Sequence, residues 1–215
     1  MTITMDRPTV ITTLTLVPLA HPAMHGIKKW SDQGALHRAV MRLFPDHLAG
    51  EPTVRRATAG ILFRHDTPRD SPARLLIQHN TAMRADLTIN TGIKQVALDS
   101  LLTTLTVGRG VRFRIVLNAV RSQTGTKKRV AVTDPDDLLS WGQHRLEIAG
   151  LGRIELSVQP TTALGFTAKG PVWTAQYDGY ATVHNPALIT DAVRQGIGRS
   201  KAYGCGLLSL APIGQ

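Results

Sequence analysis

The order of strand-like and helix-like segments is the feature that most restricts what this chain can fold into. In the second half, residues 111–121, VRFRIVLNAVR, alternate apolar and basic side chains, and this period of two predicts a strand with one apolar face. A helix-like segment at 138–148, strand-like segments at 153–166 and 172–183, and a helix at 185–196 follow before a last strand. The order β-α-β-β-α-β is that of a ferredoxin-like, RRM-like domain.

The first half shows the same order less clearly. A helix is predicted between Ser31, its expected N-cap, and Pro45, whereas the second helix is weak and is placed at Thr91–Ala97. The apolar face of the first helix is formed by Leu36, Val40, Leu43 and Phe44. Strands are predicted at Val10–Val17, Thr58–His65, Arg74–His79 and Leu98–Val107. Two halves of similar pattern, without a detectable sequence repeat, therefore follow one another.

The junction between the halves is placed in TVGRG, residues 106–110, because glycine and a change of pattern coincide there. We therefore predict an α+β fold of two tandem ferredoxin-like domains. The first spans 1–107, and the second spans 108–215 and carries a basic hairpin and a C-terminal glycine-rich loop.

The charge balance narrows the class of partner. Lys and Arg number 25 against 15 Asp and Glu, a formal net charge of +10. Such a field gathers polyanions, so nucleic acid is the leading partner, although charge alone also fits a protein that is merely basic. The single cysteine, Cys205, excludes an internal disulfide and a Cys-cluster zinc site, and it suggests a cytoplasmic location. No stretch approaches the length of a membrane span, so no membrane partner is expected.

The segment GIGRSKAYGCGLLSLAP, residues 196–212, raises the question of a nucleotide cofactor. In a dinucleotide fold, glycines follow a strand and open a helix, whereas here they follow a helix and precede a strand. No cofactor is therefore predicted. Gly196 and Gly198 could let backbone N–H groups approach an RNA phosphate, with Arg199 and Lys201 supplying charge. A tight turn whose glycines serve only backbone geometry is the alternative.

Three segments carry a family resemblance. They are QGIGRSKAYGCGLLSLAP near the C-terminus, GALHRAVMRLFPD on the first helix, and FRIVLNAVRSQTGTKKRV, a strand with a basic hairpin. In their order along the chain, which is the helix, the strand with its hairpin and then the C-terminal segment, they resemble the CasE family of CRISPR repeat-processing endoribonucleases, of the RAMP superfamily.

The resemblance implies cleavage of precursor CRISPR RNA within each repeat, at the 3′ side of a stem-loop and without a metal ion. The ribose 2′-OH would attack the adjacent phosphate and leave a 2′,3′-cyclic phosphate. The product would stay bound, with the protein as one subunit of the Cascade complex beside the other Cascade subunits. His37 matches the family's catalytic histidine, and histidine has an ordinary pKa suited to proton transfer near neutral pH.

Charge and position near these motifs give a set of candidate RNA-contacting residues, although the hairpin also fits a solvated turn and Arg38 and Arg42 also fit an exposed helix face. The candidates are Arg38, Arg42, Arg121, Lys127, Lys128, Arg129, Lys169, Gly196, Gly198, Arg199 and Lys201. One position departs from the family, because Gly34 stands where relatives have a tyrosine one helical turn before the histidine. Tyr203, Lys201, Lys169 or His25 could assist His37 instead. The remaining histidines have no metal-binding spacing, and no metal site is predicted.

Two rival functions remain open at this point. The first is a non-catalytic RNA-binding subunit of the same fold, in which His37 is structural; Gly34 is the residue that favours it. The second is a small-molecule enzyme that holds a nucleotide in the glycine loop, which the order of the elements disfavours.

Overall fold

A computed structural model describes residues 11–48, 55–67, 71–89, 91–126, 128–161, 166–167 and 170–214. The elements of the first half are β1 (Thr13–Pro18), α1 (Gln33–Arg42), α2 (Arg55–Thr58), β2 (Leu62–Asp66), β3 (Arg74–His79), β4 (Lys94–Ala97) and α3 (Asp99–Thr103). Its four strands form an antiparallel sheet in the order β2-β3-β1-β4. This is the strand order of a ferredoxin-like unit, with β1 and β3 at the centre.

The second half repeats this arrangement. Its elements are β5 (Gly110–Asn118), β6 (Val120–Ser122), β7 (Arg129–Ala131), α4 (Pro135–Ile148), β8 (Leu151–Thr161), β9 (Phe166–Thr167), β10 (Gly170–Pro171), β11 (Thr174–Val183), α5 (Pro186–Gln195) and β12 (Ser209–Pro212). The main sheet is antiparallel in the order β12-β5-β11-β8, and β6–β7 and β9–β10 are separate hairpins. The predicted α+β fold of two ferredoxin-like halves is confirmed.

Two predictions in the first half were wrong. The segment expected to be a helix at 91–97 contains strand β4, and the strand expected at 98–107 contains helix α3. Leu98, Leu102 and Leu105 are all buried, and their spacing of four and three residues is helical. Strand β4 is fixed by pairing with β1, a long-range contact that local pattern does not contain. The predicted types of these two segments are therefore reversed, and the sheet still has the strand order of a ferredoxin-like unit.

The boundaries of the helices are set by local hydrogen bonds. Asp32, not the predicted Ser31, caps α1 by accepting a hydrogen bond from the backbone N–H of Ala35 at 2.9 Å. Asn185 caps α5 as predicted, and Gly196 ends it with a φ of +73°. The predicted apolar face of α1, namely Leu36, Val40, Leu43 and Phe44, is completely buried.

Each sheet buries one face under helices. The first core joins α1 to the β2 and β3 side chains that point toward it, and the second joins α4 and α5 to β5 and β11. The opposite faces of the two sheets line a common groove. No helix within the described ranges is long and apolar enough to cross a bilayer.

Candidate functional site

His37 lies on the exposed side of α1, at the edge of its buried stripe. The side chain is half-buried, and its Nδ1 atom has no hydrogen-bond partner among the described residues. It opens into a surface pocket of about 480 Å³. The other residues that line this pocket are Arg38, Met41, Arg42, Pro45, Asp46, Leu48 and Arg55. The His37 side chain and three guanidinium groups thus line one cavity, while the unpaired Nδ1 atom itself is buried beneath it.

The surroundings of His37 favour the neutral imidazole. Burial lowers the pKa of His37 below its ordinary value of 6.5, and the positive charges of Arg56 and Arg38 lower this pKa further. A histidine that is neutral at pH 7 can accept a proton from a hydroxyl group.

Arg56 is a component of the site that sequence reasoning missed. It lies on α2, and its Nη1 atom donates a hydrogen bond to the Ile61 carbonyl oxygen, which anchors the side chain. Its charge lowers the pKa of both His37 and Lys201, so the guanidinium lies within electrostatic reach of both. The strand predicted at Thr58–His65 begins only at the last residue of α2, and nothing local placed Arg56 near α1.

The C-terminal segment brings Lys201 and Tyr203 close to α1. Both belong to a 3₁₀ turn that contacts α1 and β2. The Lys201 Nζ atom donates a hydrogen bond to the Gln195 carbonyl oxygen at 2.8 Å, and burial followed by the charge of Arg56 lowers the pKa of Lys201. His25, by contrast, is exposed and follows a short turn at Pro22–Met24. This turn lies near the C-terminal end of α1, because Arg42 donates a hydrogen bond to the Ala23 carbonyl oxygen.

The glycines of this segment have different roles. A Cβ atom at Gly206 would lie 2.7 Å from the Ile197 carbonyl oxygen, and one at Gly196 would lie 2.9 Å from the Gly206 carbonyl oxygen. These two glycines therefore permit close backbone packing, which supports the turn interpretation for them. Gly198 is exposed, with only Leu117 near its Cβ direction, at 3.7 Å. Gly198 and the exposed Arg199 remain free to contact a ligand.

The basic hairpin stands apart from the His37 pocket lining. Lys128 and Arg129 are exposed, and Arg121 forms an ion pair with Asp137, with 3.0 Å between Nη1 and Oδ2. Two predicted RNA-contacting residues, Lys127 and Lys169, lie outside the described residues. Within the described ranges, no group of three or more His, Cys, Asp or Glu side chains is arranged to hold a metal ion.

Comparisons with known proteins agree with this architecture. The chain is 28% identical over 202 residues to the CRISPR system Cascade subunit CasE of Escherichia coli, which covers 86% of this chain and 96% of that protein. It is 31% identical over 120 residues to the CRISPR-associated endoribonuclease Cse3 of Thermus thermophilus, covering 49% of this chain and 57% of the relative. The structure of Thermus thermophilus Cse3 bound to an RNA representing a pre-cleavage complex superposes with a TM-score of 0.72 at 24% identity, over 94% of this chain and 100% of that one, which shows the shared fold.

The sequence model of the family described as CRISPR associated protein matches residues 12–212. This match covers both halves, from β1 through β12, and includes α1 and the glycine segment. The chain therefore belongs to the CRISPR-associated protein family.

Proposed function

We propose that this protein is an endoribonuclease that cleaves precursor CRISPR RNA within its repeats, at the 3′ side of the stem-loop and without a metal ion. It stays bound to the mature guide RNA as a subunit of Cascade. The observation that carries the proposal is the His37 pocket, where a half-buried histidine with an unpaired nitrogen adjoins several arginines. The names of the two sequence relatives, one an endoribonuclease and one a Cascade subunit, support the same substrate and assembly.

In the proposed reaction, the 2′-oxygen at the cut site attacks the adjacent phosphorus. The neutral imidazole of His37 accepts the 2′-OH proton as the new P–O bond forms. The bond from phosphorus to the 5′-oxygen breaks, and that oxygen takes up a proton, leaving a 2′,3′-cyclic phosphate and a 5′-OH. Arg56 and Lys201 supply positive charge where the phosphate becomes more negative in the transition state.

The remaining basic residues hold the RNA in this proposal. Arg38 and Arg42 extend from α1 beside the pocket, and the hairpin residues Lys128 and Arg129 track phosphates of the stem. Arg121, Lys127, Lys169 and Arg199 complete the proposed phosphate contacts. A-form RNA is recognised largely through shape and backbone, so these contacts weaken steeply as salt rises.

The proposed chemistry is tested with end-labelled repeat RNA in the presence of EDTA. We expect one cut that leaves a 2′,3′-cyclic phosphate, and we expect no cut when the mapped position carries a 2′-deoxyribose, because the nucleophile is then absent. The matched control carries 2′-deoxyribose one nucleotide away and should be cut normally. Cleavage that requires an added divalent ion, or that proceeds at the deoxy position, would rule out this mechanism.

The pH profile of single-turnover cleavage should show that His37 works in its neutral form. We expect the rate to fall toward low pH and to reach half of its plateau only below pH 6.5, because the pKa of His37 is lowered from that value. Replacing Arg56 with glutamine removes a cation that lowers this pKa, so the falling limb should move to higher pH. The plateau rate should also drop by roughly tenfold or more, because charge stabilisation is lost.

The pH experiment needs a stability control. Burial also lowers the pKa values of His65 and His79, so the unfolded chain binds more protons than the fold does once the pH falls below 6.5. Histidine-linked stability is therefore present above pH 6.5 and is lost toward lower pH. Circular dichroism at each pH separates unfolding from titration of the site. An acid limb that does not move in Arg56→Gln would contradict the proposed influence of Arg56 on His37.

Gly34 offers a second test of the site. It lies three residues before His37 on α1, so a side chain there shares one helix face with the histidine. A Cβ atom at this position would come no closer than 3.3 Å to the capping Asp32 carboxylate and 3.4 Å to the Arg38 guanidinium, so both groups need shift only slightly. We expect Gly34→Tyr to raise the cleavage rate by up to about tenfold, a barrier change of about 1.4 kcal/mol.

Two variants are matched to the tyrosine. Gly34→Ala should leave the rate unchanged and should change the stability of α1 by less than the roughly 1 kcal/mol of a helix-interior position, because Gly34 lies in the first turn. Gly34→Phe should add the ring without the hydroxyl group. A rate for Gly34→Phe equal to that of Gly34→Tyr would show that the phenol does not take part. If none of the three variants cleaves RNA and the native chain binds it without cutting, the non-catalytic subunit is the better description.

A further inference from the structure

A groove of about 620 Å³ lies between the two sheets, on the faces that the helices leave open. On the first sheet, Leu14 and Leu16 of β1 and Leu76 of β3 form an apolar strip. The charged residues Arg64, Asp66 and Arg74 lie beside it and also line the groove. The other wall is formed by polar and aromatic side chains of β5, β8 and β11. Because side chains alternate along a strand, this wall is the opposite face of β5 from its buried residues.

The groove is separate from the His37 pocket. His37 belongs to α1, which packs on the helix-covered face of the first sheet, through Phe63 and Ile77 among others. Leu14, Leu16 and Leu76 point to the other face of the same sheet. A ligand in the groove would therefore be separated from the pocket by the thickness of that sheet.

Tyr180 and Arg112 form a platform on the polar wall. They are directly opposite each other on paired strands β11 and β5, so their side chains are neighbours on the open face. Tyr180 is 53% exposed, which is unusual for an aromatic residue in the middle of a sheet. An exposed ring beside a guanidinium group is the arrangement on which unpaired bases stack.

The charges of the groove favour an anion. Its two acidic residues are matched internally, because Asp66 pairs with Arg64 and Asp178 pairs with Arg114. Arg112 and Arg74, which also line the groove, form no ion pair with any residue in the part of the chain that the structure describes. The groove thus keeps an excess of positive charge after its internal pairs are counted.

The walls are held in place before any ligand arrives. Gln78 on the first sheet donates hydrogen bonds to the carbonyl oxygens of Val193 and Arg194 at the end of α5. Arg64 reaches across from β2 to the Leu207 carbonyl oxygen and the Ser209 hydroxyl group of the second half. A preformed groove loses little conformational entropy on binding.

From these observations we propose that the groove binds an unpaired segment of the RNA that flanks the stem-loop. Bases stack on Tyr180 and lie against the apolar strip, and Arg112 and Arg74 contact phosphates. The inference rests on the proposed function, because it takes the RNA of that reaction as the ligand. It adds a second RNA contact that does not involve the cut site.

The test compares two labelled RNAs with the full chain, one a bare stem-loop and the other the same stem-loop with a short unpaired flank at each end. We expect the flank to tighten binding, and we expect Tyr180→Ala combined with Arg112→Gln to lower affinity for the flanked RNA by about tenfold. Affinity for the bare stem-loop and its cleavage rate should stay within about twofold. The matched control is Arg145→Gln, which removes a cation from α4 on the covered side of the second sheet.

A second measurement covers the case in which the variant folds poorly. A photoreactive base in the flank should crosslink the native protein at β5 or β11, and crosslinks confined to other elements would overturn the inference. Equal affinity of native and variant protein for the flanked RNA would also overturn it. Loss of assembly with other Cascade proteins at unchanged RNA affinity would assign the groove to a protein partner instead. In these cases, continued cleavage by the native chain would leave the proposed function standing.

Discussion

Replacing His37 with alanine is expected to lower the single-turnover rate of repeat cleavage by about 10²-fold or more. Among the described residues that line the pocket, the imidazole is the group suited to proton transfer at neutral pH, because the other polar ones are arginines and an aspartate. RNA affinity should change by less than about threefold. A neutral imidazole makes no ionic contact with a phosphate, so its removal loses none. Gel shift and cleavage measured on the same end-labelled RNA give both quantities.

The fold should tolerate this substitution. His37 is half-buried and its Nδ1 atom has no partner among the described residues, so alanine leaves no hydrogen-bonding group unpaired. The matched control is His144→Ala, which removes an exposed histidine from α4. Cleavage at the native rate by the His37 variant would remove this residue from the mechanism. Equal losses of binding and cleavage would instead indicate that His37 positions the RNA or the helix.

The fold was predictable where burial and periodicity agree. Leu36, Val40, Leu43 and Phe44 mark α1 at helical spacing, and all four are buried. The prediction failed at residues 91–107, because the short helix α3 and the edge strand β4 carry few residues each. Strand β4 exposes all four of its side chains, so no alternating pattern could identify it. Its pairing with β1 is a tertiary contact, and tertiary contacts override local preference.

The site was predictable only in part for the same reason. His37 and the glycine segment were found because they match family motifs, and a motif identifies residues by their positions along the sequence alone. Arg56 could not be found this way, because its electrostatic effect on His37 depends on where the fold places α2, which precedes β2. The platform of Tyr180 and Arg112 could not be predicted from the sequence either. The two residues are 68 positions apart in the chain and become neighbours only when β11 pairs with β5.

A second large effect is expected from Arg64, the buried cation that joins the two halves. Its guanidinium group makes five hydrogen bonds, two of them to the Asp66 carboxylate. The other three go to the carbonyl oxygens of Arg114 and Leu207 and to the Ser209 hydroxyl group. Arg64 is 3% exposed, so water cannot replace these partners. All five N–H donors of the side chain are therefore used.

Replacing Arg64 with methionine keeps much of the side-chain volume but leaves the buried Asp66 carboxylate unpaired. We expect the free energy of unfolding to fall by about 3–5 kcal/mol, because an uncompensated buried charge remains. For a chain of this size, the melting temperature should drop by roughly 10 °C. Thermal and urea unfolding followed by circular dichroism measure both. The matched control is Arg84→Met, which breaks the exposed Arg84–Asp86 pair and should have a much smaller effect.

The double variant Arg64→Met with Asp66→Leu separates charge from packing. If the unpaired carboxylate causes the loss, removing it should recover part of the stability, because an apolar pair of similar volume can replace a buried ion pair. Recovery should stay incomplete, since Arg64 also bonds to the Leu207 carbonyl oxygen in the second half. A double variant no more stable than Arg64→Met would show that the bonds between the halves, rather than the ion pair, carry the effect. In that case unfolding should become less cooperative, because one contact between the halves has been lost while the Gln78 hydrogen bonds to the end of α5 remain.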